Sequence, residues 1–428
     1  MDFKEVVKIL SLIFLAGAIA FSPSFAVGKL SDGKVIEIRI EDILILVLGL
    51  LLIVSFLASG QTKAERPPLF FPILVWLSIG LLTVLANWAF SNLSLSRGFF
   101  YFLKEFQFFV FYFYVFWCIK KKDTAKLLVS AWLLFTFVNV LYVFYQMAVG
   151  LRHGEYGTSA IGEQGVFPVG AFFLLLFIFL FNVFLYYFLH LNISIIKKTG
   201  LGVLTFSPIL GVFGSTSRTN FVAMVLALFL TFLLFFLRKA NLKAIVVFIL
   251  AAVFTASMFF FAIEKVPLTA RFKTVISVFS LEPLWENYKV SRLENFIKPV
   301  FKKYLGSSAH LPFLGLGKGY VSEVHNQYLL NFIEVGLVGS VIFFILIFAI
   351  IKKSWQGFSK SGDRFAIGLS AGLLVATLIL LFISFATEPF IVVKPSSVYW
   401  FFAAITMATL SLNERKVRPQ DNFSMDSN

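Results

Sequence analysis

The chain has 428 residues, 59% of them hydrophobic and 18% aromatic, with only 14% charged and a formal net charge of +15. Soluble domains carry about a quarter of their residues as charges, so this composition excludes an ordinary soluble enzyme and belongs to an integral membrane protein. The basic excess reads as a topological signal, because Lys and Arg hold loops on the cytoplasmic side, and no nucleic-acid partner is expected.

Apolar runs of about 18 residues or more, each able to cross a hydrocarbon core of about 30 Å, recur from end to end. They predict twelve spans, at approximately 6–26, 42–59, 69–90, 98–119, 125–149, 166–190, 200–214, 220–237, 244–263, 327–351, 365–387 and 396–412. The expected fold is therefore an all-α integral membrane protein, with residues 1–428 as a single polytopic membrane domain in a lipid bilayer. The first run contains "AGAIAFSPSFA", which resembles a signal-peptide cleavage region. It is expected to be a retained helix, because the charge balance closes only with it in place. With the N-terminus inside, the cytoplasmic segments hold 20 Lys and Arg, from Lys4 and Lys8 to Arg415, Lys416 and Arg418. The short outer turns hold 7: Lys29, Lys34, Arg39, Arg97, Arg152, Arg218 and Lys394. This asymmetry predicts both termini in the cytoplasm, with residues 413–428 a polar tail there.

Inside the fourth span, Lys104 and Glu105 are adjacent charges at membrane depth, expected either to form a structural salt bridge or to line a polar pathway. The lone cysteine, Cys118, falls in an apolar run and reads as a small core residue. No Cys/His cluster has metal-ligand spacing. The seventh span, "GLGVLTFSPILGVFG", is short and carries Pro208, which predicts a broken or tilted helix; such a break is tolerated only where protein or a polar cavity covers it. It leads into "GSTSRTN", where Ser215, Thr216, Ser217, Thr219 and Asn220 crowd around Arg218. A boundary arginine often snorkels to the interface. The alternative is a residue that meets an anion, with Arg97 and Arg152 adding to a basic rim.

One connection is unlike the others. Residues 264–326 form a long outward-facing loop, and loops beyond about 12–15 residues are usually functional or disordered. This one keeps aromatic residues such as Phe272, Trp285, Tyr288 and Phe296. Its stretch "LWENYKVSRLENFIKPVFKKYL" has helical apolar spacing, predicting one or two amphipathic helices at the membrane surface. It carries nine Lys and Arg, among them Arg271, Arg292 and Lys318, against five Glu and no Asp. A long loop can escape the positive-inside bias and simply display a solvated charged face. The sharper reading is an anionic partner, since Arg binds phosphate through bidentate hydrogen bonds. Without Asp, the loop has no aspartate-based Mg²⁺ site, so phosphate would be handled without metal.

The loop ends in "PFLGLGKGY", whose alternating Gly315, Gly317 and Gly319 predict a tight backbone able to approach a ligand or another helix. His325 and Asn326 follow at the outer mouth of the tenth span. At about 100° per residue, Gly336 would return to within about 20° of the His325 direction and Gly339 to within about 40°, leaving a smooth helix face below the histidine. Glu334, ionisable within a span, should face the bundle or a wet cavity. A lone histidine at a membrane boundary is commonly a polar anchor; it is also the side chain best suited to take a proton near neutral pH.

Together these residues resemble the O-antigen ligase and polymerase superfamily. The ligase pattern runs His, then Asn, Ser or Gln, nine residues, Gly, two residues, and Gly, Thr or Tyr. It is matched by His325, Asn326, Gly336 and Gly339. "LPFLGLGKGY" and "STSRTNFVAMVLALFL" are similar to family segments, and the resemblance covers roughly residues 205–350. It implies an enzyme of the bacterial inner membrane with no cofactor, catalysing metal-independent, inverting glycosyl transfer. The donor would be an undecaprenyl-diphosphate-linked glycan, and the acceptor lipid A-core or another lipid-linked glycan. Loop 264–326 would be a periplasmic catalytic loop. The implied catalytic residues are His325, Arg218 and Arg292, with Arg271 the fallback for the second arginine. Asn326, Arg271, Lys318 and Glu334 would contact substrate.

The arginines would neutralise the leaving diphosphate, His325 would orient or deprotonate the acceptor hydroxyl, and phenylalanines of the spans would line a prenyl groove or, for most of them, face lipid. The complete histidine motif and single dominant loop favour a ligase over a polymerase. A flippase or exporter of lipid-linked sugars is the third reading. It would require paired broken helices in two related halves.

Overall fold

The computed structural model describes residues 3–21, 24–29, 35–45, 47–49, 66–90, 94–149, 159–161, 166–238, 311–321 and 324–417, with isolated positions between 245 and 298. The chain opens with α1 (Phe3–Phe21) and the strands β1 (Ser24–Lys29) and β2 (Val35–Arg39). There follow α2 (Phe70–Phe90), α3 (Leu95–Cys118), α4 (Lys122–Val149), α5 (Val166–Tyr186) and a 3-10 turn at Phe188–His190. Next come α6 (Ile195–Phe206), α7 (Pro208–Gly214), α8 (Arg218–Leu237) and the single turn α9 (Leu311–Leu314). The last three are α10 (Gln327–Lys360), α11 (Arg364–Ile383) and α12 (Val393–Val417).

Among the described residues nine helices are long and apolar enough to cross a membrane, counting α6 and α7 as one span. They correspond to the third to eighth and the tenth to twelfth spans of the sequence. The chain is thus a helical, multi-pass membrane protein. The second and ninth expected spans lie largely outside the described residues.

The all-α expectation needs one correction. β1 and β2 pair antiparallel, Ser24 opposite Arg39 and Lys29 opposite Val35, with a bulge between Ala26 and Gly28. The first helix accordingly stops at Phe21, short of the expected residue 26. The sequence did carry the signal: Ile36, Glu37, Ile38, Arg39 and Ile40 alternate soon after "SDG", a turn-forming triplet.

α5 forms the centre, buried along its whole apolar length. Its Phe172, Phe173, Phe177, Phe179 and Phe181 are each at most 1% exposed. These rings are therefore core, neither lipid-facing nor lining a groove. α11 packs closely on α5 because Gly368 and Gly372 lie one turn apart. A Cβ at Gly368 would sit 2.9 Å from Val183 Cα, and one at Gly372 3.0 Å from the Phe179 ring. Without a hydrophobic drive between helices in lipid, such backbone approach is how packing energy is gained. Phe179 also stacks on Phe402 of α12, centroids 4.4 Å apart. Cys118 is half-buried at the end of α3.

The expected break in the seventh span is present. Ser207 separates α6 from α7, with Pro208 in the first turn of the second helix, where its missing N–H costs nothing.

One end of the bundle is fastened by charges. Glu5 of α1 meets Lys121 at 2.7 Å, and Lys122 meets Asp363 at 2.7 Å. Arg238, capping α8, donates to the carbonyls of Phe358 and Ser361. All of these belong to segments that the charge count assigns to the cytoplasm.

Candidate functional site

The opposite end is organised around two interrupted backbones. α8 and α11 each span 20 residues, about 30 Å. Both leave the Arg238–Ser361 clasp, and they pack on each other. Their far ends, Arg218 and Ser384, are therefore level. The Ser384 carbonyl accepts the Gln327 N–H at 3.0 Å, which brings His325, two residues earlier, to the same end as Arg218.

Around Arg218 the turn's polar side chains are consumed locally. Ser215 Oγ donates to the Val212 carbonyl at 2.7 Å, and Ser217 caps α8 by accepting from the Asn220 N–H. The Asn220 side chain donates to the Phe167 carbonyl at 3.0 Å and to Ser217 Oγ at 2.9 Å. Gly170 of α5 makes room for this, since a Cβ there would lie 2.5 Å from Asn220 Nδ2. Ser215, Ser217 and Asn220 hold the turn together, and Arg218 beside them is exposed. It is the first residue of α8, where a cation opposes the helix dipole. That position is unfavourable for an arginine and favourable for an anion beside it.

His325 does not lie on α10, which corrects the helical-wheel expectation. Asn326 is the N-cap, accepting from the Leu329 N–H at 2.9 Å, and His325 precedes it in left-handed backbone, φ 55°. Nor is α10 continuous below it. Gly336, at φ 67° and ψ −169°, interrupts the helix, so Gly336 and Gly339 form no smooth stripe in line with the histidine.

The interruption has a visible cause. The glycine run docks beside it: Leu316 N–H donates to the Ile333 carbonyl at 2.6 Å and Gly317 N–H to the Glu334 carbonyl at 2.9 Å. Gly315, Gly317 and Gly319 all have positive φ, between 74° and 89°. A Cβ at Gly315 would meet the Gly336 nitrogen at 2.5 Å, so two backbones touch where two glycines face each other. Of the two partners the glycine run could approach, a ligand or a helix, the described residues contain the helix.

This docked segment carries Lys318, 3% exposed. Its ammonium lies 2.9 Å from Glu105 and 3.8 Å from Glu334, and 4.7 Å from the centre of the Trp76 ring. Trp76 Nε1 donates to Glu105 at 2.8 Å, and Gly319 N–H donates to Glu334 at 2.7 Å. Burial by itself would lower Lys318, but the two carboxylates outweigh it and hold the ammonium above its ordinary range. Lys318 and Glu334, expected to contact substrate, are both buried: Lys318 pairs with Glu105 and Glu334, and Glu334 with Lys318 and the Gly319 N–H. Glu334 does face the bundle, as its position in a span required. Glu105 finds its charge partner in Lys318, while Lys104 lies 5.3 Å above the Phe100 ring. Adjacent helix positions diverge by about 100°, so the sequence neighbours do not face each other.

Arg97, expected on a basic rim, donates to the Gly319 carbonyl at 2.6 Å, and Asn87 donates to that of Gly315 at 3.1 Å. Arg292, Arg271 and Arg152 lie outside the described residues, as do the expected amphipathic helices of the long loop.

The sequence reading missed Glu388. In the short connection from α11 to α12, its Oε1 accepts the N–H groups of Val324 and His325, each at 2.6 Å. No family model and no curated protein matches the chain.

Proposed function

We propose that this chain is a membrane glycosyltransferase that moves a glycan from a polyprenyl diphosphate, and that it acts as an O-antigen ligase at the outer face of the bacterial inner membrane. The observation that carries the reading is an exposed arginine and a left-handed histidine toward the same end of the bundle. An arginine opposing a helix dipole is suited to a diphosphate, and a histidine is suited to an acceptor hydroxyl. In the transfer, the acceptor oxygen attacks the anomeric carbon and its proton passes to His325. The bond from that carbon to the phosphate oxygen breaks, and undecaprenyl diphosphate leaves with the electron pair, its charge met by Arg218 and a loop arginine, Arg292 or Arg271.

A polymerase that joins lipid-linked repeat units would use the same step with a different acceptor. The transport reading needs broken helices that open on a cavity. The break at Gly336 is instead filled by residues 315–317, where the Leu316 and Gly317 N–H groups take the carbonyls of Ile333 and Glu334.

The test is a deletion strain read for surface lipopolysaccharide and the undecaprenyl-linked pool together. A ligase loss removes long glycan from lipid A while full-length polymer accumulates on undecaprenyl diphosphate. A polymerase loss leaves lipid A with single repeat units. Complementation with His325→Ala or Arg218→Ala should fail at normal membrane levels of the protein; restoration by both would sink the assignment.

A further inference from the structure

The connection between α11 and α12 reads "SFATEPF", residues 384–390, a bland outer turn with one acid. In the structure it wraps the chain where the long loop becomes α10. The Gln327 N–H donates to the carbonyls of Ser384 and Thr387, at 3.0 and 3.1 Å. The Gln327 side-chain oxygen accepts from the Phe390 N–H at 3.2 Å, and the Asn326 side chain donates to the Phe385 carbonyl at 3.3 Å. With Asn326 as cap, the start of α10 is satisfied without any charge.

Glu388 adds something else. It is only 6% exposed, and one of its oxygens takes two consecutive N–H groups, those of Val324 and His325. A buried carboxylate is costly unless charge-assisted bonds offset it, and these are short ones. They act on the two residues before the cap, where His325 is held left-handed at φ 55°. A bulky residue keeps such a conformation only where its surroundings over-determine it, and such sites are drawn toward function. A turn needed only for chain direction would be met by glycine, as it is at residues 315, 317 and 319.

We propose that Glu388 is the positioning residue of His325: its carboxylate clamps the left-handed corner and so fixes where the imidazole meets the acceptor. The proposal rests on the transfer reading, in which His325 handles the acceptor proton.

The test uses the full chain in lipid nanodiscs. The donor is undecaprenyl-linked glycan extracted from cells lacking the chain, and the acceptor is lipid A-core from the same cells. Glu388→Ala should lower kcat at least about tenfold, with both KM values and the melting temperature close to wild type. Glu388→Gln keeps an oxygen in place for both N–H groups and should restore kcat to within a few-fold. If Glu388→Ala fails to insert, Glu388→Asp carries the test: it keeps the charge, withdraws the clamp by one methylene, and should lower kcat at unchanged KM. Wild-type kcat in Glu388→Ala or Glu388→Asp, beside an inactive His325→Ala, overturns the positioning role and leaves the transfer reading standing. Full activity in His325→Ala removes His325 from the transfer and the proposal with it, and full activity in Arg218→Ala as well overturns the transfer reading itself. Loss of melting temperature in step with activity, unrescued by Glu388→Gln, reduces Glu388 to a fold residue and also overturns the proposal.

Discussion

Removing Lys318 tests whether the buried charges hold the loop to the broken helix. At an effective dielectric of about 20, its attraction is about 6 kcal/mol to Glu105 at 2.9 Å and about 4 kcal/mol to Glu334 at 3.8 Å. Desolvating three charged groups costs several kcal/mol each and offsets most of that gain, so the intact network contributes little net. Lys318→Met is a different matter, because it leaves two carboxylates buried together with no cation. Breaking such a pair costs about 3–5 kcal/mol. Unfolding in mixed detergent micelles should register a loss of that size. The triple variant Glu105→Gln, Lys318→Met, Glu334→Gln should regain at least half of it, since the new amide oxygens can still accept from Trp76 and Gly319. A Lys318→Met loss under about 1 kcal/mol, or a triple variant no better than the single one, would refute the argument.

Gly336→Ala should cost at least about 2 kcal/mol, because a Cβ there runs into the Phe313 carbonyl at a φ of 67°. Gly200→Ala, with open space around it in α6, should be neutral or stabilising by up to about 1 kcal/mol, and the same micelle titration compares the two. At the other end, burial alone would raise Asp363, but the hydrogen bond and charge of Lys122, with the Phe365 N–H, bring it below the usual carboxylate range. A depressed carboxylate contributes stability above its unfolded value that is lost as pH falls through the folded one. Asp363→Asn, which keeps the helix cap, should thus cost about 1 kcal/mol or less at neutral pH, with the difference beginning to shrink near about pH 4 and gone only below the lower folded value in a melting series.

The spans were legible because hydrocarbon thickness imposes their length and composition locally. The break at Ser207 was legible because proline carries its own steric signal. The glycine run announced a close backbone approach, and residues 315–319 make one. The break at Gly336 left no such mark. "FIEVGLVGSV" reads as an unbroken apolar helix, and it is interrupted only because two N–H groups from residues 316 and 317 arrive to take its carbonyls. Lys318 looked like loop surplus for the same reason: Glu105 lies on a distant helix, and Glu334 is brought to it only by the docking of the glycine run. Glu388 was invisible because its partners are backbone N–H groups, which every residue but proline has. At the site, residue types were readable, and the contacts that aim them were not.

The distribution of left-handed residues separates packing from chemistry. Where the described chain needs positive φ for close approach it uses glycine, at 315, 317, 319 and 336. Only Thr216 and His325 adopt it without being glycine, two residues before Arg218 and at the histidine itself. A side chain in that conformation costs about 1–2 kcal/mol. If the histidine is kept there for its imidazole, the backbone would be better off without a Cβ. His325→Gly and His325→Ala both remove the imidazole, and only glycine relieves the strain. The glycine variant should be the more stable of the two by about 1 kcal/mol, although its unfolded chain is the more flexible, while both lack transfer. Equal stability would mean that the corner is not strained. An alanine variant more stable than the glycine one would mean that the left-handed turn is not what holds His325 in place.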